Sequence, residues 1–407
     1  MKKKCSFCSH NKFRKILNLG KQPLANSYLN NINEFKKEVK VELSLEMCLN
    51  CNLFQVPHNI YPKDFFLDYD YLSGASKTWV NHCKEFSKHV VNKFNLHKNK
   101  GEIIEIASND GVLLRYFQKK QFSVVGIEPS INAVKIARRK KIFSILDFFD
   151  YKFAKKHKSK YNPQLIIANN VIAHVKNLNS FVKGLYAMSN NETIICVEIP
   201  HILNLFNKYQ FDTIYHEHHY YYSLKFLIKL FKKHDLKIFE VELIKTHGGS
   251  LRIFAKRKSN KLKINKSVTN IIKKENNAKI YSKKKHKQFR DRIFKIKKDS
   301  MNLIEKILKR KKTIDSYGAA AKGNTLLNFL EIKNQIRYVY DANKLKQNKY
   351  LPGSHIKITN PNKINLNKPD YILILPWNVK HEIIKQISFS KKWNCKFITL
   401  IPKININ

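Results

Sequence analysis

The chain is 407 residues long and 43% hydrophobic, ample for burial but too long for one ordinary core, so two or three domains are expected. Its formal charge of +48 sits on 68 Lys against 10 Arg; dedicated nucleic-acid sites favour the bidentate Arg fork, so the excess reads as a solvated surface bias that attracts nucleotide-linked anions, and no nucleic-acid partner is expected. No apolar run reaches the ~18 residues of a membrane span and MKKKCSFCSH lacks a secretory stretch, which points to a cytoplasmic chain.

Two Cys-x-x-Cys pairs come first, Cys5 with Cys8 and Cys48 with Cys51. Four thiolates suit a closed tetrahedral zinc site, and the strand-like VKVELSLEMC lets a small sheet bring the pairs together. A disulfide framework is the alternative, disfavoured in a reducing compartment. Cys83, Cys196 and Cys395 have no such pairing and read as packing residues.

From Gly101 to about Lys256 strands and helices alternate. EIIEIAS, SVVGIE, IFSILDFF, QLIIANNV and TIICVEIP are the short apolar runs of parallel, doubly covered strands; KIFEVELI and SLRIFAKR, across a Gly-Gly turn, predict an antiparallel pair at the sheet edge. Residues 104–128 read as strand, small-residue loop, helix and a second strand ending on a carboxylate. Such a unit holds an adenosine, with Glu128 as acceptor for the ribose hydroxyls. Residues 258–312 are Lys-rich without Gly or Pro, and Phe289, Ile293, Ile296, Ile304, Ile307 and Leu308 predict a long connecting helix. A second α/β unit starts at TIDSYG, where Gly318, Lys322 and Gly323 stand at a strand-to-helix junction suited to anionic groups.

Tyr215-His216-Glu217-His218 follows the last parallel strand, at the carboxyl edge where α/β ligands sit. Imidazole titrates near pH ~6.5 and an adjacent carboxylate can orient it, so this segment offers a base and an enolate stabiliser. A metal site at His216, His218 and His219 is the competing reading, although HEHH lacks the spacing of the metalloprotease helix.

In order, CSFC, LGKQPLANSYL, CLNCNLFQV, YDYLSGASKTWVNH, EIASNDGVLL, LDFF, ANNVIAHV, YHEHHYYYS, GGSLRIF, SYGAAAKGNTLLNF and YLPGSHIKI resemble the three-part sugar C-methyltransferases, which use S-adenosylmethionine on nucleotide-linked deoxy-ketosugars. The resemblance spans nearly the whole chain. It implies an α/β protein with a doubly wound class I methyltransferase sheet, an N-terminal zinc-binding domain and a C-terminal Rossmann-like substrate domain. The corresponding boundaries are 1–70, 71–257, a connecting segment 258–312, and 313–407. By resemblance His218 is the base, Glu217 its support and Tyr215 the enolate donor, with His174 and Tyr71 as further polar residues; Tyr69 competes with Tyr71 for that match.

Glu105, Ala107, Asn109, Gly111, Glu128 and Asp147 are the expected donor contacts, with Asn169 and Asn170 closing the pocket. Lys322, Asn324 and Arg252 are expected to reach the nucleotide-diphospho-sugar. Two positions depart from the family pattern, Ala107 and Ala320, where Gly and Pro are usual. If Ala107 must adopt positive φ, the cost is about 1 kcal/mol relative to Gly. A sugar O-methyltransferase, an RNA or tRNA methyltransferase and a non-catalytic binder are the rival functions, and the sequence leaves the oligomeric state open, a monomer included.

Overall fold

The computed structural model describes residues 3–56 and 72–407. Three sheets organise them. The first begins with β1 (Phe13–Pro23), β2 (Lys40–Cys48) and β3 (Phe54–Gln55), antiparallel neighbours in that order. The register of the β1–β2 pair shifts between Lys15 and Leu17 and between Asn18 and Lys21, each time with an extra residue in β1.

The middle of the chain is built from α1 (Lys77–Phe94), β4 (Ile103–Ile106), α2 (Leu114–Gln118), β5 (Val124–Glu128), α3 (Ile131–Arg139), β6 (Ser144–Leu146), α4 (Tyr151–His157), β7 (Leu165–Asn169), α5 (Leu178–Met188) and β8 (Ile194–Pro200). It continues through α6 (Ile202–Asn207), β9 (Tyr220–Tyr221), α7 (Leu224–Lys233), β10 (Leu236–Ile244) and β11 (Ser250–Arg257). The sheet order is β10-β11-β8-β7-β4-β5-β6, with five parallel strands and β11 antiparallel to both β8 and β10. This is the class I methyltransferase topology, with the reversal beside β4 that opens a crevice at the carboxyl ends of the strands. Strands β4, β7 and β8 are almost wholly buried, as their unbroken Ile and Val runs require.

β9 does not join that sheet. It pairs antiparallel with β3, Phe54 opposite Tyr221 and Gln55 opposite Tyr220, and so becomes the fourth strand of the N-terminal sheet. The next residue, Tyr222, bridges back to His201 at the end of β8.

The expected long helix is broken in two, α8 (Lys266–Asn277) and α9 (Lys283–Lys309). Lys279 takes a left-handed conformation, Ile280 is driven fully into the core, and Ser282 caps α9 by accepting from Lys285 N at 3.1 Å. The break therefore needs neither Gly nor Pro.

The third sheet comes from β12 (Ile314–Tyr317), α10 (Ala321–Phe329), β13 (Val339–Tyr340), β14 (Ile358–Thr359), α11 (Ile364–Asn367), β15 (Tyr371–Ile374), α12 (Lys380–Gln386), β16 (Lys396–Thr399) and β17 (Asn405–Ile406). Its order, β14-β13-β12-β15-β16-β17, is parallel except for β17, which completes a doubly wound α/β unit. Gly318 turns the chain from β12 to α10 at φ +93°, and a Cβ there would lie 2.4 Å from Pro376.

One contact ties α8 to the start of α7. The fully buried Glu275 carboxylate accepts from Leu224 N at 2.6 Å, Lys225 N at 3.1 Å and His201 Nε2 at 2.8 Å. It satisfies two orphan donors of a helix N-terminus where water has no access. Glu275→Ala is expected to cost about 3 kcal/mol of unfolding free energy in urea titration, because those donors would be stranded; an unchanged midpoint would show that the pin carries no load.

Candidate active site

The four cysteines of the N-terminal domain converge. Cys5 Sγ and Cys51 Sγ lie 3.6 Å apart, as do Cys8 Sγ and Cys48 Sγ, and all four fall within 4.8 Å of one another. A tetrahedron of Zn–S bonds of about 2.3 Å has an edge of about 3.8 Å, so the cluster fits zinc, and none of the cysteines forms a disulfide. Cys5, Cys48 and Cys51 belong to the same buried core as the methyltransferase strands, with Phe7 edge-on to Phe226 of α7 at 5.2 Å. Among the described residues no second group of His, Cys, Asp and Glu closes to metal-binding distance, which leaves the metal reading of HEHH without support.

The donor crevice forms where β4 gives way to α2. Ala107, Asn109 and Gly111 all have positive φ, +58°, +51° and +72°, and this turn brings the backbone close to whatever the crevice holds. Ala107 therefore does sit in the strained region, where Gly would rest easily. Glu128, at the end of β5, accepts from Asn109 N and Ser130 N, both at 2.9 Å, and these bonds oppose the burial that pushes its carboxyl up.

Glu105 is buried with Oε2 unpartnered, and burial followed by repulsion from Asp110, Glu128 and Glu198 pushes its carboxyl well up. Ser108 Oγ, Asp110 Oδ1 and Asn169 Oδ1 are likewise buried without a protein partner. Buried polar atoms are rarely left so, and four around one crevice, in an acidic setting, fit a cationic, polar ligand. Those residues suit S-adenosylmethionine, which carries an ammonium and a sulfonium. Asn170, also at positive φ, donates its N–H to Glu198 O at 2.8 Å. Asp147 is exposed beside the exposed Phe148, whereas Phe149 packs edge-on against Phe181.

Arg252 departs from its expected role. It lies on β11 with its guanidinium committed to Glu198 and Glu242, at 2.6 and 2.9 Å, so the fork is not available to a phosphate. Glu198 also meets His82 of α1 at 2.9 Å. Burial opposes its ionisation, yet His82 and Arg252 hold its carboxyl below the ordinary value. This network fastens α1 to the floor of the crevice.

The YHEH segment crosses the same edge. Its backbone is held from both sides: His219 N donates to Ala173 O at 2.8 Å, and His219 O accepts from Val56 N at 2.9 Å. His174 Nδ1 lies 2.6 Å from Glu217 O. A carbonyl only accepts, so Nδ1 carries the proton and Nε2 keeps its lone pair. Burial pushes this imidazole down. The His218 ring stands 5.1 Å from His174, 5.6 Å from Tyr215 and 4.6 Å from Tyr221, between centroids. Burial, then repulsion from His174 and His216, pushes His219 down to about 3. Tyr71, like Tyr69, lies outside the described residues.

On the C-terminal domain Lys322 bonds Asn378 and lies over the Trp377 ring at 4.9 Å. Trp377 Nε1 donates to Asp212 Oδ2 at 2.6 Å; burial pushes that carboxyl up to about 6, against the pull of Lys322. Asn324 is buried, reaching Ala25 O at 3.4 Å and accepting from Asn328.

Sequence reasoning missed Asn26, whose N and Nδ2 both donate to Glu217 Oε1, and Tyr28, whose hydroxyl donates to Ala319 O at 2.6 Å. It also missed Asp341, which accepts from Ala319 N at 2.7 Å. The signal for Asp341 was present: a carboxylate ending the second strand of the C-terminal α/β unit, just as Glu128 ends β5.

Three family models match in succession: a zinc binding domain over residues 5–66, a methyltransferase domain over 81–241 and a C-methyltransferase C-terminal domain over 245–402. C-methyltransferase NovU of Streptomyces niveus is 28% identical over 402 residues, 98% of this chain and 95% of the relative. Among solved structures, magnesium protoporphyrin IX methyltransferase from Synechocystis PCC 6803 with bound SAH aligns at TM-score 0.36 and 14% identity, covering 44% of this chain and 84% of that one. An S-adenosylmethionine-dependent methyltransferase from Clostridium acetobutylicum aligns at TM-score 0.36 and 11% identity, covering 44% and 92%.

In native mass spectrometry Cys48→Ser is expected to lose the zinc that the wild-type chain should carry, and its Tm should fall; full metal content in the variant would contradict the assignment. Ala107→Gly should raise stability in urea by about 0.5 kcal/mol, the left-handed strain exceeding the extra chain entropy of Gly.

Proposed function

The chain belongs to the three-domain C-methyltransferases that use S-adenosylmethionine, and on that premise we propose that it methylates a nucleotide-linked deoxy-ketosugar at a carbon beside the ketone, with His218 as base. The grouping of His218, His174, Tyr215 and Glu217 at the crevice edge carries this reading. Bound S-adenosylmethionine supplies an electrophilic methyl group, and a sugar carbon becomes nucleophilic enough to take it once its proton is removed.

His218 takes that proton, Glu217 steadies the imidazolium, and the Tyr215 hydroxyl donates to the enolate oxygen. His174, held at Nδ1 by the Glu217 carbonyl, is a further polar residue of the site. Glu128 takes the ribose hydroxyls and Asp147 the adenine amino group, while Glu105, Ala107, Asn109, Gly111, Asn169 and Asn170 line the crevice. Lys322, beside the N-terminus of α10, attracts the sugar's diphosphate. The division into 1–70, 71–257, 258–312 and 313–407 then gives the donor to the second part and the nucleotide to the fourth. Cytoplasmic action, feeding surface polysaccharide or other glycoside synthesis, follows from such an acceptor.

In deuterated water the wild-type enzyme should exchange the proton at the accepting carbon before transfer. His218→Ala should abolish exchange and slow methyl transfer about 10²–10⁴-fold. Exchange surviving in His218→Ala would remove the imidazole from the mechanism, and methylation on oxygen without exchange would replace the reaction.

A further inference from the structure

The zinc-binding domain reaches into the catalytic group itself. Asn26, in the turn after β1, donates its backbone N–H to Glu217 Oε1 at 2.9 Å and its Nδ2 to the same oxygen at 3.3 Å. The other oxygen, Oε2, is buried and has no protein partner. One oxygen is thus anchored and the other is left for the site.

The turn that carries Asn26 is fixed at both ends. Ala25 O accepts from Asn324 Nδ2, Tyr28 OH donates to Ala319 O, and Lys346 Nζ donates to the same carbonyl at 2.8 Å. Glu217 is in turn fixed through its carbonyl by His174. We propose that Asn26 is a positioning residue for Glu217, so that the zinc-binding domain contributes directly to the catalytic machinery rather than only bracing it. This rests on the reading of Glu217 as support for His218.

Two N–H donors on one oxygen favour the carboxylate, and only a charged Glu217 can steady an imidazolium beside it. Burial pushes the Glu217 carboxyl up, and the bonds from Asn26 oppose it. The backbone N–H groups of Ala25 and of Glu217 itself also lower it, and Tyr28 and Tyr221 interact with it electrostatically, with Lys346 beyond Tyr28. His216 and His218 flank it along the chain, and His174 meets its carbonyl. None of these is supplied by the turn residue itself, so the effect of Asn26 is separable by substitution.

The test uses the zinc-loaded full chain. Carbon-13 NMR of labelled Glu, with Glu217→Gln as the blank, reads the titration of the Glu217 carboxyl without any sugar. Asn26→Asp should move the midpoint up by about one pH unit, because it replaces a donor with a like charge, and Asn26→Ala should move it up less, because the backbone N–H remains. The acid limb of the kcat profile should follow by the same shift, with zinc content and donor affinity in calorimetry at wild-type levels. If Asn26→Asp does not fold, Asn26→Ala and Asn26→Ser decide. Folded variants whose Glu217 titrates as in wild type would overturn the proposal. A shifted midpoint in a protein that methylates no nucleotide-linked ketosugar would uphold the positioning role and refute the acceptor instead.

Discussion

The arrangement depends on a pair of backbone hydrogen bonds at His219. Its N–H is bonded to Ala173 of the methyltransferase domain and its carbonyl to Val56 of the zinc-binding domain, so the YHEH segment is stitched to both at once. The next two residues, Tyr220 and Tyr221, extend the N-terminal sheet, and Tyr222 returns to the end of β8. A two-residue strand could not hold itself in place. It is held because Phe54, Tyr221 and Phe206 bury their side chains in the core that also receives α9 and β12, so a register slip would expose aromatic surface and misplace every imidazole in the segment.

Electrostatics divides the molecule. The chain is overwhelmingly basic, yet the donor crevice collects Glu105, Asp110, Glu128 and Glu198, balanced only in part by Lys140 and Arg252. A cationic donor is drawn to the acidic crevice. On the acceptor proposed above, an anionic sugar nucleotide would be drawn past the lysine-rich exterior towards Lys322.

Much of this was legible in the sequence, and the failures have physical causes. The cysteine pairs, the loop ending on Glu128 and the five parallel runs with an antiparallel pair each carry a local pattern, and each is found where expected. Membership of β9 in a distant sheet had no such pattern, because two residues cannot show a period and their pairing is decided by packing. Asn26 is an ordinary turn residue in sequence, and its contact lies 191 positions away. Arg252 looked like a phosphate fork because a strand residue does not announce that its cross-strand neighbours are Glu198 and Glu242. The break between α8 and α9 was hidden by a lysine-rich run in which a left-handed Lys279 and a capping Ser282 did the work usually given to Gly.

Amide hydrogen exchange on the zinc-loaded and metal-stripped chains tests the central claim, that the zinc-binding domain holds the YHEH segment. Removal of the metal is predicted to release protection at Val56 and across residues 215–222 while β4, β5 and β7 keep theirs. Equal protection of that segment in both forms would show that it is held by the methyltransferase sheet alone.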